Sequence, residues 1–242
     1  MAGRHRGLGG PRRLTPEDDP QPLTSSPQVT SVVTGVEYQQ KRPDRVNVYL
    51  DGAFGFAVAA AVAQEVGLRR GLRLTPDDVG RLLDRDDSHR AYEAALNYLS
   101  YRPRSEAEVR GSLQRKRFAP DRIDEVIRRL QDAGLLDDAA FARFWVENRD
   151  TFSPRGARAL RAELRQKGVA DAAIQGVISG ERDDSAGAHA AARKKARQLR
   201  GLDYQAFRRR LGAYLARRGF DYETIGPVVA SLWQEVGRLS GG

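Results

Sequence analysis

Apolar residues in the C-terminal two thirds of the chain recur with the spacing of amphipathic helices, and the pattern repeats every 51 residues. A shift by that length superposes three apolar triplets: Ile123, Val126 and Ile127; Ile174, Val177 and Ile178; Ile225, Val228 and Val229. No gap is needed from about residue 103 onward. Such repetition predicts tandem structural units, which suit binding along an extended partner better than enclosing a small molecule.

Each repeat is expected to hold three helices around a core of its own. In the first repeat, Ser105 and Glu108 have the spacing of a capping box, which predicts a helix start. Pro120 is expected to begin the next helix, and Gly134 to end it.

The second and third repeats carry weaker boundary signals. Asp138 is predicted to cap one helix of the second repeat, and Ser153-Pro154 to open the next. In the third repeat, Gly226-Pro227 falls inside the expected last helix, over residues 222–238. That helix therefore either begins late, near Thr224, or is kinked.

Residues 29–87 alternate with the period of two that is typical of strands. Asp51-Gly52 is a two-residue hairpin signal, since both turn positions need a positive φ. The predicted elements are, in order, a strand at Val29–Gln39, a turn at Lys41–Arg45 around Pro43, strands at Val46–Leu50 and Ala53–Val58, and helices at Ala59–Val66 and from Thr75-Pro76 to about Leu83.

The fold class predicted from these patterns is mainly α: three tandem three-helix repeats forming an elongated rod, preceded by a small α+β β-hairpin module. The expected segments are a disordered tail (1–28), the α+β module (29–87) and three helical repeats (88–138, 139–187 and 188–242). The tail is assigned as disordered because it has almost no apolar residues to bury.

Composition narrows the classes of function. The chain contains no cysteine, which excludes disulfides and thiolate chemistry. Neither an apolar run of about 20 residues nor a secretory leader is visible, so we expect a cytoplasmic protein without a membrane span.

Candidate catalytic groups are sparse. The three histidines, His5, His89 and His189, have no metal-ligand spacing, and no phosphate-binding glycine loop occurs. Acidic residues fall at predicted helix caps or beside arginines. Phe141, Phe144 and Trp145 have the spacing of a core stripe, which favours burial over base stacking. We therefore expect no enzyme activity, no cofactor and no metal.

Positive charge is concentrated in the third repeat. The whole chain has a net charge of +9, and residues 188–242 alone hold 11 basic against 4 acidic side chains. A local basic field favours an anionic partner, either nucleic acid or an acidic protein surface. The candidate binding residues are Arg193, Lys194, Lys195, Arg197, Arg200, Arg208, Arg209, Arg210, Arg217 and Arg218, with Arg115 and Lys116 as a weaker second patch.

Two stretches carry a resemblance to a known family. The run Gly134-Leu135-Leu136-Asp137-Asp138-Ala139-Ala140-Phe141-Ala142 and the run Glu163-Leu164-Arg165-Gln166-Lys167-Gly168 resemble the most recognisable segments of the RecX family, regulators of the RecA recombinase. Leu113–Phe118 is similar, with Arg117 where glycine is commoner, and the third repeat keeps Arg218-Gly219-Phe220. The resemblance covers about residues 88–238, and 29–87 looks like the N-terminal module of longer members.

This resemblance implies a non-enzymatic protein that lies in the groove of the RecA–DNA filament. We expect the protein itself to be a monomer. It implies inhibition of ATP hydrolysis, strand exchange and filament growth, with single- or double-stranded DNA as a further partner. Two alternatives stay open. The pair of helices predicted at 105–117 and 120–133 fits a helix-turn-helix or winged-helix transcription regulator. A helical repeat scaffold for another protein partner is the third interpretation.

Overall fold

A computed structural model describes residues 29–178 and 182–238 of the chain, without the side chain of residue 238. They divide into two compact units, with the boundary between Leu83 and Asp84. The elements are β1 (Ser31–Gln39), β2 (Arg42–Leu50), β3 (Ala53–Ala59), α1 (Ala60–Glu65), β4 (Arg73–Leu74), α2 (Pro76–Leu99), α3 (Glu106–Arg115), α4 (Pro120–Asp132), α5 (Asp138–Phe152), α6 (Ala157–Gln166), α7 (Asp171–Val177), α8 (Ser185–Gln198), α9 (Tyr204–Arg217) and α10 (Tyr222–Arg238). The tail predicted to be disordered, 1–28, lies outside the described residues.

The first unit contains an antiparallel sheet with strand order β3-β2-β1-β4. The hairpin predicted at Asp51-Gly52 is confirmed, with φ of 51° and 88° at the two turn residues. Val33, Val48 and Val58 are fully buried in the core of this unit.

The turn predicted at Lys41–Arg45 is wrong, because β2 already begins at Arg42. The ladder with β1 pairs Gln39 with Arg42 and then Tyr38 with Val46, so three residues of β2 bulge between these pairs. Pro43 lies in the bulge, where its missing N–H costs no ladder hydrogen bond.

A single helix, α2, covers both the helix predicted to end near Leu83 and the first of the three helices expected in the repeat at 88–138. The expected stop near Leu83 does not occur, since neither glycine nor proline follows it before Pro103. At the other end, the Thr75 hydroxyl accepts from the backbone N–H of Asp78 at 3.1 Å, which confirms the predicted start.

The second unit contains three groups of three helices, each with its own core. We call them bundle 1 (α2 from Asp84, α3 and α4), bundle 2 (α5, α6 and α7) and bundle 3 (α8, α9 and α10). Each buries the apolar triplet predicted from the repeat, although Val177 in bundle 2 is only half-buried. Leu113, Leu164 and Leu215 are equivalent residues at spacings of 51, and all three are fully buried.

Two predicted helix starts shift by a few residues. The carboxylate that caps α5 belongs to Asp137, which accepts from the backbone N–H of Ala139 at 2.7 Å, and not to Asp138. In bundle 2, α6 begins at Ala157 rather than at Ser153-Pro154. Gly156 is the N-cap residue of α6, and the Gly156 N–H donates a hydrogen bond to another bundle, as described below.

The last helix settles the choice that the sequence left open. α10 begins at Tyr222, where the Asp221 carboxylate accepts from the N–H of Thr224 at 2.7 Å. The helix continues through Pro227. A late start near Thr224 is therefore wrong, and Pro227 lies inside the helix.

Candidate binding surfaces and bundle junctions

The basic residues predicted for the third repeat lie on α8 and α9 or just beyond their C-terminal ends. Eight of the ten side chains are exposed, and Lys195 and Arg218 are half-buried. The helices turn these cations outward because small or apolar residues fill the inner faces: Ala188, Ala192 and Ala196 on α8, and Phe207, Leu211 and Leu215 on α9.

These cations have no acidic partners, whereas several cations of the other two bundles are paired with carboxylates. In bundle 1, Arg110 contacts both Glu106 and Asp124, and in bundle 2, Arg149 contacts Glu163 at 2.8 Å. None of the ten predicted cations of bundle 3 forms an ion pair within residues 29–178 and 182–238. Their charge is therefore available to an external anion.

The basic residues of α9 do not form a single patch. Consecutive residues of an α-helix are about 100° apart, so Arg208, Arg209 and Arg210 point in three directions. Arg208 and Arg209 line an open groove between α9 and α10, together with Tyr222. Bundle 3 thus presents cations around its exterior.

Arg218 has a structural role that the sequence did not indicate. Its Nη1 donates to the carbonyl of Pro154 at 3.3 Å, and its guanidinium lies 4.9 Å from the ring centroid of Tyr214. Arg115 and Lys116, the second predicted patch, are exposed at the C-terminal end of α3.

Phe141 and Trp145 of α5 belong to the bundle rather than to a stacking platform. Phe141 is buried, and the indole N–H of Trp145 donates to the Glu163 carboxylate at 2.9 Å. Lys167 and Arg149 lie over the Trp145 ring at 5.1 and 4.6 Å.

Adjacent bundles meet through an equivalent pair of positions at both junctions. Between bundles 1 and 2, the Ser105 hydroxyl donates to the carbonyl of Lys167 at 2.6 Å. Between bundles 2 and 3, the Gly156 N–H donates to the carbonyl of Arg218 at 3.0 Å. Both the donors and the acceptors are 51 residues apart. The start of each second helix therefore meets the end of the second helix in the following bundle.

Carboxylates from the following bundle complete each junction. Asp138, at the start of α5, accepts from the Glu106 N–H at 2.8 Å, and Asp184, the N-cap residue of α8, accepts from the Ala157 N–H at 2.7 Å. Both thus satisfy the first N–H of a neighbouring second helix. Burial raises the pKa of the Asp138 carboxyl despite this hydrogen bond, and the nearby Glu106 and Asp137 carboxylates act in the same direction.

Glycine at the end of the second helix permits the close approach. Gly168 and Gly219 have φ of 78° and 87°. A Cβ at Gly168 would lie 2.3 Å from the Ala107 Cβ, and a Cβ at Gly219 would lie 2.4 Å from that of Ala159. Arg117 holds the equivalent position of bundle 1 at φ 65° and is exposed. Because no helical bundle precedes bundle 1 among residues 29–83, the departure from glycine there is tolerated.

An ion-pair cluster ties bundle 1 to bundle 2. Glu108 accepts from Arg102 at 2.9 Å and from Lys167 at 2.8 Å. Partial burial works to raise the pKa of the Glu108 carboxyl, but these two hydrogen-bonded cations outweigh it and lower the pKa to about 2. The sequence did not indicate this cluster, because Lys167 is distant in the chain from Arg102 and Glu108, and the equivalent of Glu108 in bundle 2 is Ala159.

Comparison with known families matches four segments of the chain to one of them. Residues 31–75 match the regulatory protein RecX N-terminal domain. Residues 91–130, 137–178 and 183–229 match the first, second and third three-helix domains of RecX.

Curated relatives agree over most of the chain. The Regulatory protein RecX of Levilactobacillus brevis is 32% identical over 205 residues, which cover 84% of this chain and 76% of that protein. The Regulatory protein RecX of Bacillus subtilis is 30% identical over 205 residues, covering 84% and 78%. That of Prosthecochloris aestuarii is 40% identical over 139 residues, covering 57% and 91%.

Solved structures share the fold. A crystal structure of regulatory protein RecX superposes with a TM-score of 0.63 at 24% identity, covering 86% of this chain and 99% of that one. RecX from Lactobacillus salivarius superposes with a TM-score of 0.56 at 28% identity, covering 61% and 97%.

The fold and its matches define a class: regulatory proteins made of three tandem three-helix domains behind a small N-terminal domain with a sheet. Within that class, the chain belongs to the RecX family. The resemblance is confirmed, and so is the predicted mainly α fold with three three-helix repeats behind a small module with a sheet. Within the described ranges, none of the helices is long and apolar enough to cross a membrane.

Proposed function

We propose that this protein is a cytoplasmic, monomeric, non-enzymatic regulator that binds the RecA–DNA filament in its groove. Bound there, it inhibits ATP hydrolysis, strand exchange and filament growth. The single observation that carries the proposal is the set of cations on bundle 3 without acidic partners, in a chain of the RecX family. Unpaired cations on several sides of one bundle suit the groove of a filament, because a protein bound there has anionic groups on more than one side.

The arrangement of the bundles supports an extended partner. Three bundles with separate cores are joined by hydrogen bonds at equivalent positions of the repeat. Such a series matches a partner that is itself built from repeated subunits. DNA phosphates in the filament and acidic side chains of RecA are both suitable anions for bundle 3.

The helix-turn-helix alternative has less support. A recognition helix needs several cations free to reach base edges or phosphates. On α4, the second helix of the candidate pair, Arg122 contacts Asp84 and Glu125, and Arg129 lies 3.8 Å from the ring centroid of Tyr92. Two of the three arginines of that helix are thus committed within bundle 1.

Charge reversal on α9 tests the proposal. The triple variant Arg208→Glu, Arg209→Glu and Arg210→Glu should fold as the parent does, because all three side chains are exposed. We expect its inhibition of RecA's DNA-dependent ATP hydrolysis to weaken at least tenfold, about 1.4 kcal/mol. We also expect binding that depends less steeply on salt. A suitable ionic strength is about 0.15 M, where charges are screened over about 8 Å.

A matched control separates the position of the charge from its amount. Lys41→Glu, Arg69→Glu and Arg70→Glu change the net charge equally, at three exposed positions of the N-terminal module. Equal weakening by both triples would show that only net charge matters, and undiminished inhibition by the α9 triple would contradict the role given to these cations. Single reversals at Arg208, Arg209 and Arg210 then show which of the three directions faces the filament.

A further inference from the structure

Two exposed aromatic side chains occupy the same position of consecutive repeats. Tyr101 and Phe152 are 51 residues apart and follow or end the first helix of their bundles. Each is 78% exposed. Single exposed apolar residues are ordinary on a protein surface, but recurrence at the repeat spacing is not expected of scattered ones.

The loops that hold these residues share more than the aromatic position. Tyr101-Arg102-Pro103-Arg104 aligns with Phe152-Ser153-Pro154-Arg155 at the repeat spacing. The prolines and arginines have internal roles. The carbonyls of Pro103 and Pro154 accept from Arg102 and Arg218, Arg104 lies 4.1 Å from the Tyr98 ring centroid, and Arg155 lies 3.7 Å from the Glu163 carboxylate.

The aromatic side chains have no such role. Neither Tyr101 nor Phe152 makes a side-chain hydrogen bond or ring contact within the described ranges. In bundle 3 the repeat position is Asp203, which caps α9 by accepting from the Ala206 N–H at 2.9 Å. The recurrence is therefore confined to bundles 1 and 2, where the aromatic residues contribute little to the fold.

We infer that Tyr101 and Phe152 are two equivalent apolar anchors for a protein partner with repeated subunits. This inference rests on the proposed function, in which successive RecA subunits are that partner. It assigns apolar contacts to bundles 1 and 2 and the contacts with anions to bundle 3.

The surroundings of the anchors favour a protein over nucleic acid. The arginines in the two anchor loops already have carboxylate partners: Arg102 near Tyr101 is paired with Glu108, and Arg155 near Phe152 lies 3.7 Å from Glu163. Beside the first anchor, an open groove is lined mainly by apolar side chains, among them Leu99 and Leu135, the latter half exposed at 50%. That groove suits an apolar side chain of the partner rather than a phosphodiester backbone.

The double variant Tyr101→Ala and Phe152→Ala tests the anchors. Because both side chains are exposed, it should retain the circular dichroism and melting temperature of the parent. We expect inhibition of RecA's ATP hydrolysis to weaken at least about tenfold, as for truncation of an interface anchor. The loss should be alike at low and high salt, whereas charge reversal on α9 should matter most at low salt. Binding to a bare single-stranded oligonucleotide should not change.

A control variant removes one tyrosine and one phenylalanine side chain at other exposed positions. Tyr38 and Phe54 of the N-terminal module are 71% and 60% exposed and do not recur at the repeat spacing. Their double alanine variant should inhibit as the parent does. Equal inhibition by the anchor variant and the parent would overturn the inference alone. A parallel loss of oligonucleotide binding would overturn it in favour of base stacking. No inhibition by the parent would overturn the proposed function and the inference together.

Discussion

Substituting Gly168 by alanine should separate bundles 1 and 2, because this residue combines a left-handed backbone with a close contact. Its φ of 78° costs a non-glycine residue roughly 1–2 kcal/mol. The added Cβ would lie 2.3 Å from the Ala107 Cβ, whereas ordinary contacts begin at 3.4 Å. The junction would have to open by about 1 Å, which adds roughly 1–3 kcal/mol of overpacking.

The expected loss of unfolding free energy is therefore roughly 2–5 kcal/mol, measured by urea denaturation followed by circular dichroism. Gly134→Ala is the matched control, since Gly134 has a φ of 67° but no atom within 4 Å of its added Cβ. That control should cost only the backbone contribution, roughly 1–2 kcal/mol.

A double-mutant cycle isolates the contact itself. Ala107→Gly removes the atom that the new Cβ would meet, so Gly168→Ala should cost less in that background than in the parent. Equal losses for Gly168→Ala and Gly134→Ala, together with no coupling to Ala107, would refute the account of the junction.

Two further predictions concern the ion-pair cluster and the repeat cores. Because the pKa of Glu108 is lowered to about 2 in the folded protein, its contribution to stability is complete above the ordinary value of 4.5 and is lost as the pH falls toward 2. Glu108→Gln should flatten the fall in unfolding free energy over that range, and an unchanged slope would contradict the pairing with Arg102 and Lys167. Ile174→Asp would place a carboxylate at a fully buried site and should lower the unfolding free energy by several kcal/mol. The control Gln175→Asp, at an exposed neighbour, should lower it little. Equal melting temperatures of the two variants would show the repeat register to be wrong.

Local signals with a direct physical cause were readable from the sequence. The capping box of Ser105 and Glu108 is present, because hydroxyl and carboxylate at that spacing satisfy both backbone donors. The hairpin at Asp51-Gly52 and the buried triplets at the repeat spacing also follow from local chemistry and periodicity. Three-helix repeats could thus be predicted without coordinates.

Features that depend on contacts between bundles could not be read in the same way. Asp138 has the sequence neighbours of a helix cap, but its carboxylate is bound by the Glu106 N–H of another bundle, and Asp137 caps α5 instead. Asp138 and Asp184 are 46 residues apart, so alignment at the repeat spacing does not pair them. Ser105 and Gly156 are equivalent positions at the repeat spacing, and so are Lys167 and Arg218. Nothing in the local sequence indicates that Ser105 contacts Lys167 or that Gly156 contacts Arg218.

The candidate binding surface was predicted by composition rather than by position. Counting basic residues located bundle 3, and the structure shows these side chains without acidic partners among the described residues. The sequence did not show that Arg218 serves the junction with bundle 2, or that three adjacent arginines on α9 face different ways. Their roles in binding stay predictions.

The most direct test of the central claim is a titration of RecA with the parent protein. RecA's ATP hydrolysis on single-stranded DNA would be followed as the protein is added at less than one copy per RecA protomer. A regulator that binds along the filament should lower the rate at such ratios, because one bound copy affects several subunits. An unchanged rate up to one copy per protomer would contradict the proposed function.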